Sequence, residues 1–458
     1  MSSFSPSSYL ALFKIRQTLV FDIGALLMRM FPTMTVLAVV TTLTLSGWGF
    51  SIAGTVSTVL ALVMFFVGPK ISRKVDECGQ SKIVPFAVIV AIFGLCIFIA
   101  TLLLNLPWWL IYVAALFMGC TPNPQSMART RWSYLIESGK LRQMLDEKGK
   151  TTQALPEVKT AFALEGILDD AAYMLGPSIA IALSATFFPT AGMFFAGIVL
   201  VLGTVIMLSS RETEPIVGWK SVEEIEAEGT AASNEACAVA TGSKEEAAVT
   251  GSKAGATDAE AEKILADNRN MFFASSVVRA FFAIMFMVGI FYGAHDTVMI
   301  AVGEATGNAA FTSLILLVAS AISIFGSIIF GSLNLKFGLD KQLLAITLCY
   351  SAFYGCMMFS DTLPVLAVVA CISALFFGPT VIIINTVCEH CVPKSRLTES
   401  LTWVSAGYAL GTALIPTIFG FVIDLLGAWT SVHIAGALAW TIFVIAFIVR
   451  PVVKKHQF

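Results

Sequence analysis

The chain has 458 residues, of which 57% are hydrophobic and only 13% are charged, whereas soluble globular proteins have about 25% charged residues. Its mean hydropathy is +0.84. This composition excludes disordered, collagen-like, coiled-coil and disulfide-rich classes. The 28 Lys and Arg residues nearly balance the 30 Asp and Glu residues, so there is no basic field to attract nucleic acid. The nine cysteines, odd in number and mostly inside apolar runs, are typical of small buried hydrophobic residues.

Twelve apolar runs are long enough to cross a bilayer as helices, because a hydrocarbon core about 30 Å thick needs about 20 helical residues. None alternates with period two, as membrane-spanning strands do. The first run has no cleavage site of small residues, so we expect it to be retained. We therefore predict an all-α polytopic membrane protein with twelve transmembrane helices. These spans lie near residues 18–45, 50–71, 83–104, 107–127, 160–184, 188–209, 271–301, 309–332, 341–360, 363–388, 397–423 and 428–449.

The distribution of Lys and Arg predicts the orientation. The connections after the even-numbered spans carry these residues, as does the tail with Arg450, Lys454 and Lys455. The connections after the odd-numbered spans carry none. By the positive-inside rule, we expect both termini in the cytoplasm and a multi-pass chain in the plasma membrane.

One long polar segment divides the spans six and six. Residues 211–270 hold thirteen acidic and six basic residues among Ala, Gly, Ser and Thr. They have too few apolar groups to offset the entropy of ordering, so we predict a mostly disordered acidic cytoplasmic linker. A plain tether is favoured over a regulatory or partner-binding role. The predicted domains are therefore residues 1–210, the linker, and residues 271–458.

The two halves are related by an internal repeat. Residues 115–121 (ALFMGCT) align with residues 374–380 (ALFFGPT) at an offset of 259. Tyr173, Leu175 and Gly176 align with Tyr408, Leu410 and Gly411 at an offset of 235. The offset changes because the loop after span 4 is longer than the loop after span 10. This pattern predicts two pseudo-symmetric six-helix bundles with a solute path between them.

The loops after spans 2 and 8 resemble the cytoplasmic loop signature of the major facilitator superfamily, G-x-L-a-D-R-x-G. Residues 331–338 (GSLNLKFG) keep the glycines but replace the acid, and residues 72–80 (SRKVDECGQ) keep the acid as Asp76. In that family the aspartate closes the cytoplasmic side by meeting basic or helix-end partners, and the resemblance implies this role for Asp76. The alternative to this gating role is that the segment is only a basic cytoplasmic loop with a glycine at its turn. The gating loop candidates are Arg73, Asp76, Gly79, Gly331, Lys336 and Gly338.

Span 5 resembles the antiporter signature of the same family, G-x8-G-x3-G-P-x2-G. Its helix-packing motif is formed by Ala172, Gly176, Pro177 and Ala180. Ala163, Ala172 and Ala180 stand in place of the three other glycines of the signature. Small residues permit close helix approach. The signature is associated with exporters, which favours outward transport. Residues 128–132 (ARTRW) and the segment with Glu165, Asp169 and Asp170 resemble a bacterial branch of the family. We expect the small residues of this motif to pack against Ser323 and its neighbours on span 8. We also expect Gly54 on span 2 to meet Gly407 and Gly411 on span 11.

Charges inside the spans are the candidates for coupling, because a charge at mid-bilayer costs about 3 kcal/mol. Glu165 and Asp169 lie one turn apart on one face of span 5, and Asp170 lies about 100° around the helix. Repulsion between two such carboxylates favours proton binding by one of them. The alternatives are that one or both acids form a structural ion pair with an arginine, or that they lie in water at the cytoplasmic mouth of the span. The proton-coupling candidates are Glu165, Asp169, Asp170 and Asp296.

Basic and amide side chains inside the spans are candidates for the substrate cavity. Arg29 and Arg279 are natural partners for acids, or else extend to the interface, and in the inner half of the path they would attract an anion and repel a cation. His295 and Asp296 are adjacent on span 7 and cannot both face one point. For Asn123, Gln125 and Asn385 the alternative is that the buried amide only hydrogen-bonds one helix to another. The candidates are Arg29, Asn123, Gln125, Arg279, Tyr292, His295 and Asn385.

Several signals are discounted. Cys388, His390 and Cys391 have no second Cys/His pair at a suitable spacing, so we predict no metal site and no cofactor. The sequence has no phosphate-binding P-loop and no hydrolase nucleophile motif, so we predict no enzyme.

We expect a monomeric secondary transporter, surrounded by membrane lipid, that moves a small-molecule solute by alternating access with proton-coupled efflux. The alternatives are a proton-coupled importer of a sugar or nutrient, and a non-transporting membrane receptor or scaffold.

Overall fold

The fold is known from a computed structural model that describes residues 12, 15–48, 50–147, 156–219, 270–333, 335 and 337–455. In the first half, α-helices cover nearly all of the described residues. They are α1 (Arg16–Leu45), α2 (Phe50–Cys78), α3 (Gln80–Leu103), α4 (Leu110–Met118), α5 (Pro124–Glu137), α6 (Lys140–Glu147), α7 (Val158–Thr186) and α8 (Ala191–Ser209).

The second half repeats this plan. Its helices are α9 (Met271–Ala274), α10 (Ser276–Ala305), α11 (Ala309–Ser332), α12 (Leu339–Gly355), α13 (Leu363–Ala374), α14 (Phe377–Cys391), α15 (Leu397–Leu426) and α16 (Ala428–Lys455). Short 3₁₀ turns lie at Arg211–Thr213, Cys356–Phe359 and Lys394–Arg396. The predicted all-helical fold is confirmed.

Eleven helical segments among the described residues are long and apolar enough to cross a membrane. The predicted fourth span is the exception, because it is broken into α4 and α5. Asn123 accepts a hydrogen bond from the Ser126 N–H at 3.1 Å and so caps α5, whose first residue is Pro124. Proline at the first helical position has no N–H to leave unpaired. The predicted span over 107–127 is therefore interrupted between Met118 and Pro124.

The repeated ALF segments mark the two places where helices break. Helix α4 ends at Met118, inside residues 115–121, and α13 ends at Ala374, the first residue of 374–380. Helix α14 resumes at Phe377. Spans 4 and 10 are thus both interrupted within a few residues of the repeated segment. Interrupted helices of this kind border the binding site in many transporters.

Each half has its own apolar core. One core is built from residues between Leu12 and Met207, and the other mainly from residues between Met271 and Val453. Helix α1 packs on α7 and α8, and α10 packs on α15 and α16. Between the halves, α2 packs on α15 and α7 packs on α11. These are equivalent interfaces under the repeat.

Two glycines of the predicted interfaces pack within their own bundle, in contrast to the predicted contacts between the bundles. A side chain at Gly176 would meet Thr33 of α1, and one at Gly411 would meet the α10 backbone at Ile290. Nothing lies within 4 Å of a side chain placed at Gly54. At these two positions the small residue permits close approach of helices of the same bundle.

The start of the predicted linker is ordered against the first bundle. Glu214 accepts a hydrogen bond from the Ser81 N–H at 2.7 Å, at the first turn of α3. The rings of Trp219 and Tyr134 lie 5.4 Å apart, edge to face. Residues 220–269, which hold most of the predicted disorder, lie outside the described residues. The ordered part of the first bundle therefore extends past residue 210.

Candidate functional site: a cavity between the bundles

A cavity of about 420 Å³ lies between the two bundles. Its volume is within the range of small-molecule sites, about 300–1,000 Å³. Helices α5 and α7 form one wall, and helices α10 to α15 form the other. The polar and aromatic side chains that line it are Gln125, Arg129, Asp169, Asp170, Tyr173, Tyr292, His295, Asp296, Ser320, Ser323, Ser327, Tyr354, Phe377, Asn385, Ser405 and Tyr408.

Behind the α7 wall lies a buried ion-pair network. Arg29 of α1 pairs with Glu165 and, at 3.2 Å from its Nε atom, with Asp169. Arg129 of α5 pairs with the other oxygen of Asp169 at 2.6 Å. Arg29 and Glu165 are 1% and 0% exposed, so neither reaches the cavity. The arginine between the two acids compensates the repulsion expected from their spacing.

Trp132 extends this network toward α1. Its indole N–H lies 3.0 Å from Glu165 Oε1 and 3.1 Å from Asp22 Oδ1, and its ring packs edge to face on Phe21. Neither Asp22 nor Trp132 was a candidate from the sequence. Arg129 also was missed as a site residue, although the ARTRW segment that contains it was recognised. We had ended span 4 before these charges, whereas α5 continues to Glu137 with the arginines buried.

Asp170 and Asp296 face the cavity from opposite walls. Asp170 accepts a hydrogen bond from Ser323 of α11 at 3.4 Å, and Asp296 lies 3.1 Å from His295 Nδ1. Among the described residues, no Lys or Arg forms an ion pair with either carboxylate. Asp170 is twelve residues from the start of α7, about 18 Å along the helix. It therefore lies deep in the span and not at its mouth.

Aromatic rings line much of the second bundle's wall. The ring of Tyr292 lies 4.7 Å from Phe377 and 6.1 Å from Tyr408. Tyr354 lies 5.6 Å from the ring of His295. Sequence analysis predicted Tyr292 but not the others, because aromatic residues on apolar helices give no signal that separates a cavity lining from a core.

Two buried polar atoms in this wall lack hydrogen-bond partners among the described residues. Asn385 donates to the Val381 carbonyl at 2.8 Å, which leaves its Oδ1 atom unpaired. His295 Nε2 is also unpaired. Both residues line the cavity and are 2% and 3% exposed. An unpaired buried polar atom carries a desolvation cost of about 1–3 kcal/mol, which a bound solute would remove.

The structure places the remaining cavity candidates in different surroundings. Gln125, Tyr292, His295 and Asn385 line the cavity. Arg29 lies behind it, and Asn123 caps α5. Arg279 is exposed and donates to the carbonyls of Phe272 and Phe273. Arg29, Asn123 and Arg279 are not among the residues that line the cavity.

At one end of the molecule the bundles are joined by contacts between loops and helix ends. We call it the charged end; there α2 ends at Cys78, α7 begins at Val158, α11 ends at Ser332 and α15 begins at Leu397. Asp76 Oδ2 accepts a hydrogen bond at 2.8 Å from the Glu399 N–H, in the first turn of α15. Carboxylates are stabilised at helix N-termini by unpaired N–H groups and the helix dipole.

The equivalent interface, between α7 and α11, has the opposite polarity: the first bundle contributes hydrogen-bond donors and the second contributes acceptors. Lys159 Nζ and Thr160 Oγ1, at the start of α7, donate to the carbonyls of Leu333 and Gly331 at 2.9 Å each. These carbonyls end α11, where a cation is favoured. Lys159 also lies 3.9 Å from the centre of the Phe330 ring. Both interfaces therefore match a side chain of the first bundle to a helix end of the second.

A third contact at the charged end was missed by sequence analysis. Lys394 pairs with Glu389 in its own bundle and with Glu137 at the end of α5, at 3.1 Å. His390 lies 2.9 Å from Glu389. The pattern around Cys388 had been considered only as a metal site. Among the described residues, no group of three or more His, Cys, Asp or Glu side chains is arranged to hold a metal ion.

The other gating loop candidates have separate positions. Arg73 pairs with Glu77 at 2.7 Å. Gly79 has a φ of +94°, a conformation that favours glycine, and connects α2 to α3. Gly338 precedes α12, and Lys336 lies outside the described residues.

Comparison with known proteins gives a family match and a common fold. Residues 281–458 match the model of the Major Facilitator Superfamily. No curated protein matches the sequence.

Solved structures with this fold cover both bundles. A bacterial homologue of the iron transporter ferroportin, in an outward-facing state, has a TM-score of 0.63 at 11% identity, over 96% of this chain and 100% of that one. The human organic anion transporter TETRAN has a TM-score of 0.60 at 11% identity, over 96% and 100%. The E. coli fucose:proton symporter FucP has 0.60 at 12%, over 95% and 99%. The resemblance stated from the sequence is thereby confirmed: residues 281–458 match the family model, and the chain shares the fold of major facilitator superfamily transporters along nearly its whole length.

Proposed function

We propose that the chain is a secondary active transporter that moves a small molecule across the cytoplasmic membrane by alternating access, coupled to protons and directed outward. The observation that carries this proposal is a solute-sized cavity between two bundles that are joined at the charged end by contacts between opposing helix ends. Such contacts can form and break without unfolding either bundle, because each bundle has its own core.

We assign the charged end to the cytoplasmic side, which agrees with the positive-inside rule. The conformation described here is then closed toward the cytoplasm. Alternating access requires a second conformation in which the contacts of Asp76, Lys159 and Thr160 separate. Outward transport is supported by the small-residue motif of α7 at Ala172, Gly176, Pro177 and Ala180, which resembles the antiporter signature.

Of the four coupling candidates, Asp170 and Asp296 are best placed to exchange protons with the cavity. Protonation of Glu165 or Asp169 would break ion pairs with buried arginines and leave those arginines uncompensated. Protonation of Asp170 or Asp296 breaks no ion pair with Lys or Arg among the described residues. We therefore assign coupling to these two carboxylates and a structural role to the other two.

Alternating access is tested by the distance between the bundles at the charged end. Spin labels are attached at Lys82→Cys and Lys341→Cys, exposed and equivalent positions in the two halves, in a chain whose native cysteines are replaced. Asp76→Asn removes the charge at the α15 N-terminus, so we expect a longer distance to become several-fold more populated. The control is Glu77→Gln, the neighbouring acid, which should match the parent. A single unchanged distance in Asp76→Asn, at every pH between 5 and 9, would contradict the proposal.

Proton coupling is tested on the same labelled chain. The ratio of the two distances should change with pH in the parent and lose most of that change in the double variant Asp170→Asn with Asp296→Asn. Asp361→Asn, an exposed acid outside the cavity, is the matched control. If the double variant keeps the full pH response, the coupling assignment is wrong while alternating access stands.

A further inference from the structure

The charges of the α7 wall are mutually compensated. Arg129 is the only Arg or Lys among the described residues that line the cavity, and its Nη2 atom lies 2.6 Å from Asp169. Arg29 is shared between Glu165 and Asp169. An anionic solute would therefore have to compete with carboxylates for every arginine near the cavity.

The remaining charge of the cavity is negative. Asp170 has a serine hydroxyl as its partner and Asp296 has the adjacent His295. Both carboxylates line the same cavity as the ring of Tyr292. Two carboxylates in a protein cavity that form no ion pair with Lys or Arg among the described residues attract a cation, which regains part of its lost hydration energy from them.

The aromatic wall adds a second attraction for a cation. The faces of tyrosine and phenylalanine rings carry negative electrostatic potential, and a desolvated cation over such a ring gains about 2 kcal/mol. Tyr292, Phe377 and Tyr408 form one group of rings, and Tyr354 lies against His295. The unpaired Asn385 Oδ1 atom offers a hydrogen-bond acceptor in the same wall.

We infer that the cavity binds organic cations that carry an aromatic or other apolar group, with the positive charge between Asp170 and Asp296 and the apolar group against the tyrosines. This inference deepens the proposed function and rests on it for transport, but binding itself is measurable without transport. A neutral sugar would leave both carboxylates without a counter-charge. An inorganic cation would leave the aromatic wall without contacts.

The test is equilibrium binding to the purified full-length protein in detergent at pH 8, with three probes of similar shape. N-methyl-phenylpyridinium is the cation, phenylpyridine is the neutral analogue, and biphenyl carboxylate is the anion. We expect the Kd of the cation to be at least about tenfold lower than those of the other two. Asp170→Asn and Asp296→Asn should each raise the Kd of the cation about tenfold and leave the Kd of the neutral probe unchanged.

The control is Asp361→Asn, the exposed acid outside the cavity, which should bind the cation as the parent does. Elution of each variant as a folded monodisperse species distinguishes lost binding from misfolding. Equal affinity for the cation and its neutral analogue, absence of binding by the cation, or retained cation binding in the double variant would overturn the inference. Such a result, combined with a normal response of the spin-label distances, would leave the transporter proposal intact.

Discussion

The two walls of the cavity share a helical plan but manage polarity in different ways. In the first bundle, Arg29 and Arg129 hold Glu165 and Asp169 in a buried ion-pair network. In the second bundle, the polar atoms of the wall belong to an aromatic lining, and Asn385 and His295 have unpaired atoms. A charge inside a span therefore does not by itself mark a binding position, since the charges that look most conspicuous in the sequence are those that partner one another.

The largest expected effect comes from breaking the first-bundle network. Arg29→Met leaves Glu165 buried without its cation, and removal of one partner of a buried ion pair costs about 3–5 kcal/mol. We expect a corresponding loss in the free energy of unfolding, measured by denaturant titration in detergent. Adding Glu165→Gln should restore much of the loss.

The matched control for this change is Arg279→Met. The two arginines looked equivalent in the sequence, but Arg279 is exposed, so its substitution should change the free energy of unfolding by about 0.5 kcal/mol or less. Equal losses for the two variants would mean that the network does not stabilise the first bundle.

A smaller effect is expected from the second bundle, where close backbone packing positions the aromatic wall. A side chain at Gly289 of α10 would meet the carbonyl group of Tyr408 on α15. Gly289→Ala should therefore cost about 1–3 kcal/mol of unfolding free energy and displace Tyr408. Gly54→Ala, in open space, should be neutral or stabilising by about 0.5–1 kcal/mol, because alanine favours helix. Destabilisation by Gly54→Ala of the same size would refute this account.

The smallest effect concerns the contact at the charged end. Burial, together with the nearby Glu389 carboxylate, raises the pKa of Glu137 from 4.5 to about 8. The neutral form therefore predominates below pH 8, and the contact weakens as the pH rises through about 8 and a second negative charge appears beside Glu389. We expect the longer spin-label distance to gain about twofold in population between pH 7 and pH 9, since a partly accessible charge pair contributes about 1 kcal/mol or less.

Glu137→Gln mimics the neutral acid and should remove this part of the pH response. Glu147→Gln, an exposed acid on the neighbouring α6 helix, should retain it. An identical response in both variants would mean that another group titrates.

The sequence predicted the bundles, the pairing of span 2 with span 11 and of span 5 with span 8, and the contact of Asp76 with a helix end. The bundles follow from hydropathy and the internal repeat, the Asp76 contact from the loop signature, and the two helix pairings from the small residues on those spans. It did not predict the break at Asn123, because the apolar run continues through it. Nor did it predict which charges compensate one another, because Asp169 and Arg129 are forty residues apart and only packing brings them together.

The cavity lining was predicted only in part for a similar reason. His295, Asn385 and Tyr292 are polar groups on apolar helices and were found. Tyr354, Phe377 and Tyr408 were not found, because the sequence does not distinguish an aromatic residue of a cavity wall from one of an apolar core. The small residues were identified correctly as positions of close approach, but their partners were assigned to the wrong bundle.

The way the charged end is held has a genetic consequence. In two of its contacts the first bundle contributes side chains, Asp76 and the pair Lys159 and Thr160, while the second bundle contributes main-chain groups of α15 and α11. Point substitutions can remove the side chains of the first bundle but not the main-chain groups of the second. Mutants selected for leakiness should therefore concentrate in α2 and α7, and suppressors should arise in α11 and α15 through changes that move a helix terminus.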